Sequence, residues 1–168
     1  MKTKAKTTRN LSQHPRCATL LLAFFTFVML QPAVHATEQV PFKGFAAGVI
    51  TGMTPGPDGV TFTVHAVGNA TQLGRFTREE TLLLDPATLK FTGTIVFTAA
   101  NGDQLRVAVA GGFTSPTTVE GTYTFQGGTG RFANAAGAAV FAATTEGGLV
   151  AVEFSGEISS VGAKATSP

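Results

Sequence analysis

The chain has 168 residues, 43% of them hydrophobic, a formal net charge of +2 and one cysteine, Cys17. Five of its twelve basic residues precede position 36 and all ten acids follow it, so residues 37–168 carry seven bases against ten acids, net −3. A net-acidic segment without a clustered basic face is not built to bind nucleic acid, and a segment without cysteine has no disulfide and no thiolate site.

Lys2, Lys4, Lys6, Arg9 and Arg16 lead into the apolar run 17–30, followed by Gln31-Pro32 and "AVHA" ending at Ala36. This layout predicts a secretory signal peptide over residues 1–36, cleaved after Ala36. The run is shorter than the roughly 20 residues a spanning helix needs, so the expected mature form has no stable membrane span. Its expected address is extracytoplasmic: periplasmic or extracellular if the source is bacterial. The 132 residues that follow are enough for one domain with a sizeable core.

Beyond the leader, Gly, Thr, Val and Phe dominate and apolar residues alternate, the pattern of half-buried strands. The first strand is expected over 42–51, ahead of a turn at 54–59, "TPGPDG". The second covers 60–67, with Val60, Phe62, Val64 and Ala66 on one face and Thr61, Thr63 and His65 on the other. The third covers 73–84 and ends at Asp85-Pro86. A fourth, 91–99, meets a fifth, 104–111, through Asn101-Gly102, a strong hairpin signal. The sixth is 119–126, the seventh 138–145 and the eighth 149–160, the last two joined at Glu146-Gly147-Gly148. Residues 161–168 form an expected frayed tail. Eight consecutive strands on short turns predict an all-β, antiparallel up-and-down barrel, calycin-like, over 37–160, with a two-sheet sandwich as the alternative.

Between the sixth and seventh strands, Gly127, Gly128, Thr129 and Gly130 run into Arg131-Phe132, and Gly137 opens the next strand. No Gly-Lys-Ser/Thr follows the glycines and no helix pattern follows the loop, so it is not a phosphate cradle, and no dinucleotide fingerprint can be placed. No cofactor is expected. The glycines instead suit a compact turn in which Phe132 plugs the barrel end. Arg131 is then a solvated rim charge or the partner of a carboxylate near the mouth.

"GGTGRFANAAGAAVF" resembles a stretch of dirigent proteins and allene oxide cyclases, in which a Gly-Gly-Thr/Ser-Gly turn precedes a hydrophobic residue and a later strand-opening glycine. The chain is also similar to bacterial secreted members of the allene-oxide-cyclase-like barrels, through "GNATQLGRF" at 68–76 and "AANGD" at 99–103. The resemblance implies an eight-stranded barrel with an apolar cavity, a small apolar ligand and a homo-oligomer, in particular a trimer. It does not imply an activity. The cyclases' pocket cysteine has no counterpart after residue 36, and the dirigent acids cannot be matched by motif.

The third strand carries four charges in what is otherwise barrel wall. Alternation puts Arg75 and Glu79 on one face and Arg78 and Glu80 on the other, so a regular strand aims one Arg and one Glu inward, where a charge needs a partner or water. The plainer expectation is that the strand overhangs the rim or bulges near Arg78, leaving all four charges wet. The functional expectation is an inward pair at the cavity mouth, holding the polar or anionic end of an apolar ligand. Ligand-binding candidates are therefore Arg75, Arg78, Tyr123 and Arg131, and the catalytic candidates are Tyr123, Glu79 and Glu80. Tyr123, the only tyrosine, shares a face with Val119, Gly121 and Phe125 that should look inward. His65 has no second His or Cys beyond the leader for a transition-metal site and belongs on the outer face; no metal is expected. Three functions stay open: a non-catalytic exported barrel binding a small apolar ligand or a partner, a cyclase or isomerase of allene oxide cyclase or dirigent type, and a packed structural or envelope-associated barrel.

Overall fold

The computed structural model describes residues 38–159, so the expected leader and tail fall outside the described residues. Eight antiparallel strands follow in chain order: β1 (Gln39–Gly56), β2 (Gly59–Ala70), β3 (Gly74–Asp85), β4 (Lys90–Ala99), β5 (Gln104–Phe113), β6 (Thr118–Gly128), β7 (Gly137–Glu146) and β8 (Leu149–Ser159). Each pairs with its neighbours in sequence, and β1 pairs with β8 to close the barrel. Closure removes the unpaired edges that an open eight-stranded sheet would expose, and the alternative sandwich is excluded.

Two boundaries differ from expectation for a physical reason. The segment "TPGPDG" is mostly strand: β1 runs on to Gly56, opposite Gly59, and only Pro57 and Asp58 turn. Beyond Val49 the β1 strand has no β8 partner and pairs with β2 alone, so Pro55, which has no N–H to give, sits in a strand with a free side. A bulge at Thr51 lies at this transition, where the Thr51 hydroxyl meets the Thr63 carbonyl at 3.2 Å.

The barrel has two unlike ends. At one lie the β2–β3, β4–β5 and β6–β7 connections, and the last of these closes it. Gly127 (φ 76°) and Gly130 (φ 54°) take the left-handed conformation that glycine adopts at no steric cost. They turn the chain into a single 3₁₀ turn, Gly130–Phe132, which drives the Phe132 ring inward to 0% exposure. Thr129 ties this plug to the wall. Its N–H donates to the Gln104 carbonyl at 2.8 Å, and its hydroxyl accepts the Gln104 N–H at 2.9 Å. The Gly127 N–H bridges the loop to Ala135 O at 2.8 Å.

Above the plug the interior is filled by rings. Phe42 contacts Phe125 and Phe154 at centroid separations of 4.8 and 5.2 Å, and Phe76 contacts Phe97 at 5.1 Å, spacings at which aromatic pairs attract beyond their buried area. Toward the other end, where the remaining hairpin turns lie, Val, Leu, Ala and Thr are interspersed with Phe62, Phe91, Phe113 and Phe141, and the filling stops.

Candidate functional site

The space left at that end is a cup to which all eight strands contribute. Its volume, measured as the space open to the centres of water molecules, is about 100 Å³, several times what one water needs. Upper lining residues such as Ile50, Phe62, Leu84, Phe113 and Val150 are inward-facing yet only half-buried, so the cup opens to solvent. Its wall is otherwise aliphatic or phenyl; the exceptions are Thr145, on the last turn of wall, and Arg78 and Glu80.

Arg78 and Glu80 come inward because of register. β2 and β3 pair so that Val64 faces Glu80 and Ala66 faces Arg78, while on the other side Phe97 faces Arg78 and Ile95 faces Glu80. Those four partners are buried core residues, and residues directly opposite share a face. Arg78 is 3% and Glu80 6% exposed. The strand neither overhangs nor bulges, and two of its four charges are dry, contrary to the expectation that all would be wet. Arg75 and Glu79 lie outside. Glu79 meets His65 across β2 and β3, Oε1 to Nδ1 at 2.5 Å, an exposed pair on the barrel surface and outside the cup.

Nε of Arg78 lies 2.7 Å from Oε1 of Glu80, a close charge pair, although neither Nε nor Nη1 of Arg78 has an acceptor at full hydrogen-bond geometry. The guanidinium carbon also sits 5.5 Å from the Phe97 ring centre and 5.4 Å from that of Tyr123, within cation–π range. Burial alone would lower the Arg78 pKa, but the oxygens of Tyr123 and Glu80 outweigh it and hold the group above its ordinary value. The cation is thus fixed by a counterion and two ring faces.

Tyr123 lies below the cup, 0% exposed, with its ring stacked at 4.6 Å on Phe141, a cup residue. Its oxygen lies close enough to the guanidinium to help hold that charge, while the hydroxyl has no partner at full hydrogen-bond geometry. Burial pushes the phenol up, Glu80 adds to this and Arg78 opposes it, leaving a pKa of about 12. In the folded barrel the phenol therefore keeps its proton while an unfolded phenol, near 10, has lost it. Stability is then full below about pH 10 and falls by about 2–3 kcal/mol as pH rises toward 12. Because Tyr123 is the only tyrosine and there is no tryptophan, phenolate absorbance reads this one group. A single transition near 12 when folded, moving to near 10 in denaturant, is the expected result; titration near 10 in the folded protein would mean that water reaches the ring.

Arg131 belongs to the opposite end. It lies 3.8 Å from the Asp103 carboxylate, donates from Nη2 to the Leu73 carbonyl at 3.3 Å and covers the Phe132 ring. It has the carboxylate partner considered for it, but it braces the plug and does not reach the cup. Of the four ligand-binding candidates, then, the structure brings Arg78 and Tyr123 together, and leaves Arg75 outside and Arg131 at the closed end. The apolar cup wall from Phe62, Leu82, Phe91, Phe113 and Phe141 was not singled out in the sequence.

No protein-family model matches the chain, and no curated protein matches it in sequence. Among solved structures, the barrel is similar to two pterocarpan synthase dirigent proteins. The match to GePTS1 has a TM-score of 0.54 at 16% identity, covering 80% of this chain and 97% of that one. The match to PsPTS1 has a TM-score of 0.54 at 15% identity, covering 74% and 96%. At such identities the likeness is one of fold: the chain is an eight-stranded β-barrel similar in fold to those dirigent proteins.

Proposed function

We propose that this protein is an exported dirigent-like barrel that takes a small, mainly apolar ligand into the cup and holds it without chemistry of its own. The observation that carries the reading is the floor of the cup. A barrel selected only for rigidity would close that space, as the other end does, and would not leave a buried guanidinium with unpaired N–H groups in the floor of an apolar chamber. Export rests on the leader pattern of residues 1–36.

Binding is tested with N-phenylnaphthylamine, a neutral apolar dye that brightens out of water. Saturable uptake is expected in the wild type. Ala143→Phe, which places a ring in the cup from β7, should weaken uptake by about tenfold or more while circular dichroism stays that of the barrel. Equal uptake by both proteins, or none by the wild type, would sink the reading.

One observation favours a second reading, a cyclase or isomerase of the allene oxide cyclase or dirigent kind. Tyr123 and the Arg78–Glu80 pair converge beside an open cavity, and the two solved neighbours are named as synthases. Under it, Tyr123→Phe would abolish turnover of a reactive ligand and leave its binding intact; under the first reading no turnover exists to lose.

A further inference from the structure

The charge balance of the cup floor goes beyond the presence of a ligand to its class, and the inference rests on the reading that the cup is a ligand site. We propose that the ligand is uncharged, with one oxygen acceptor of carbonyl type seated on Arg78 and the remainder in the apolar chamber, and that Glu80 is the specificity residue that excludes carboxylates.

A lone buried guanidinium would attract anions, and an apolar cavity floored by an arginine ordinarily suggests a carboxylate ligand. Here the cation is already matched. Glu80 lies two residues along the same strand face, 6% exposed, with its Oε1 2.7 Å from Arg78 Nε, so the floor carries one positive and one negative charge and no net charge. The cup lining contains no further cation. A ligand carboxylate brought to Arg78 would place a second anion beside Glu80, in a chamber whose only other polar wall residue is Thr145, and like charges in that setting are strongly disfavoured.

What the pair leaves unmet is hydrogen bonding. Nη1 of Arg78 is buried and without an acceptor, and the Tyr123 hydroxyl, close to the same guanidinium, has no partner either. Arginine only donates, and a protonated phenol has a donor to give. A phenol holds that proton at neutral pH. Donors without partners on Arg78 and Tyr123 and no unused charge call for a neutral acceptor, as in a ketone, ester or amide. A hydrocarbon would leave the donors bare, and a carboxylate would over-supply charge.

The test uses three compact probes that share one ring and differ only in the attached group: cyclohexyl methyl ketone, cyclohexanecarboxylate and ethylcyclohexane. Binding to the full barrel is followed at neutral pH by calorimetry and by Tyr123 emission, which has no tryptophan background. The wild type should bind the ketone about 100-fold more tightly than the carboxylate and about tenfold more tightly than the hydrocarbon. Glu80→Gln removes the anion and keeps the shape, so the order of ketone and carboxylate should reverse, with the carboxylate also raising the melting temperature of the variant. Wild-type comparison alone decides the matter if that variant does not fold. Carboxylate binding as tight as ketone in the wild type, or hydrocarbon binding as tight as ketone, would overturn the proposal while leaving the cup a ligand site. Failure of all three probes and of N-phenylnaphthylamine would overturn both.

Discussion

Glu80→Ala should destabilise the barrel by about 3–5 kcal/mol, the range for stripping one partner from a buried ion pair, and lower its melting temperature on the order of 10–20 °C. Arg78 is 3% exposed and its only counterion within reach is Glu80. Without that carboxylate the cation keeps only the faces of Phe97 and Tyr123, whose attraction, about 2 kcal/mol for a desolvated pair, is too small to balance the desolvation of a full charge. Neutralising Arg78 is no escape, because guanidinium does not release its proton in proteins. The companion variant Arg78→Met/Glu80→Leu removes both charges at similar volume and should return to within about 1 kcal/mol of wild type, since paired buried charges add little net stability over apolar substitutes. A pair that costs as much to break as this, yet little to replace, is retained for a reason other than stability, and the ligand at the cup floor supplies one. Urea unfolding of the three proteins checks it. A loss below about 1 kcal/mol for Glu80→Ala would show Arg78 to be solvated and the floor of the cup wet.

The barrel itself was legible because period-two alternation survives in every strand and every connection is short. The inward face of β6, with Val119, Tyr123 and Phe125, is buried as its pattern indicated. The face of β3 was not legible from that strand alone, because Leu, Arg and Glu occur on both sides of it. The deciding signal lay in the neighbouring turn: β2 and β3 are joined so that Ala70 faces Gly74, which pairs even-numbered residues with even-numbered ones. With Val64 and Ala66 inward, Glu80 and Arg78 must follow. That register depends on Gln72 taking a left-handed conformation (φ 65°), which side chains other than glycine and asparagine seldom adopt and which nothing in "TQLG" announces. The cup was illegible for a related reason. Whether inward phenylalanines fill a barrel depends on how they stack in layers across strands, and that is again register: Phe42, Phe76, Phe97, Phe125 and Phe154 fall together on the closed side. The plug was readable because the run of glycines before Phe132 fits only a tight turn, whereas the direction of Arg131 was not, since its partners Asp103 and Leu73 come from two other connections.

Phe132→Ala is expected to cost about 3–5 kcal/mol, the usual range for truncating a fully buried phenylalanine, and yet to leave ligand affinity in the folded protein unchanged. The ring is 0% exposed and belongs to the single buried cluster of the interior, so its removal opens a void at the closed end. The loop around it should keep its path, because Thr129 and Gly127 anchor it through main-chain bonds to Gln104 and Ala135 that do not involve the ring. The void cannot be repaired by Arg131, whose guanidinium lies over the Phe132 ring and is held to the Leu73 carbonyl. Between this end and the cup stand Phe42, Phe97, Phe125 and Phe154, packed ring on ring, so the two halves of the interior should respond independently, as separated sites do. Urea titration should therefore register the full loss while the affinity for a neutral cup probe, measured well below the melting temperature, stays within about twofold of wild type. A larger change in affinity would mean that the interior is one continuous space reaching from the plug to the mouth, and the division of labour between a rigid aromatic half and a ligand-accepting half would have to be abandoned.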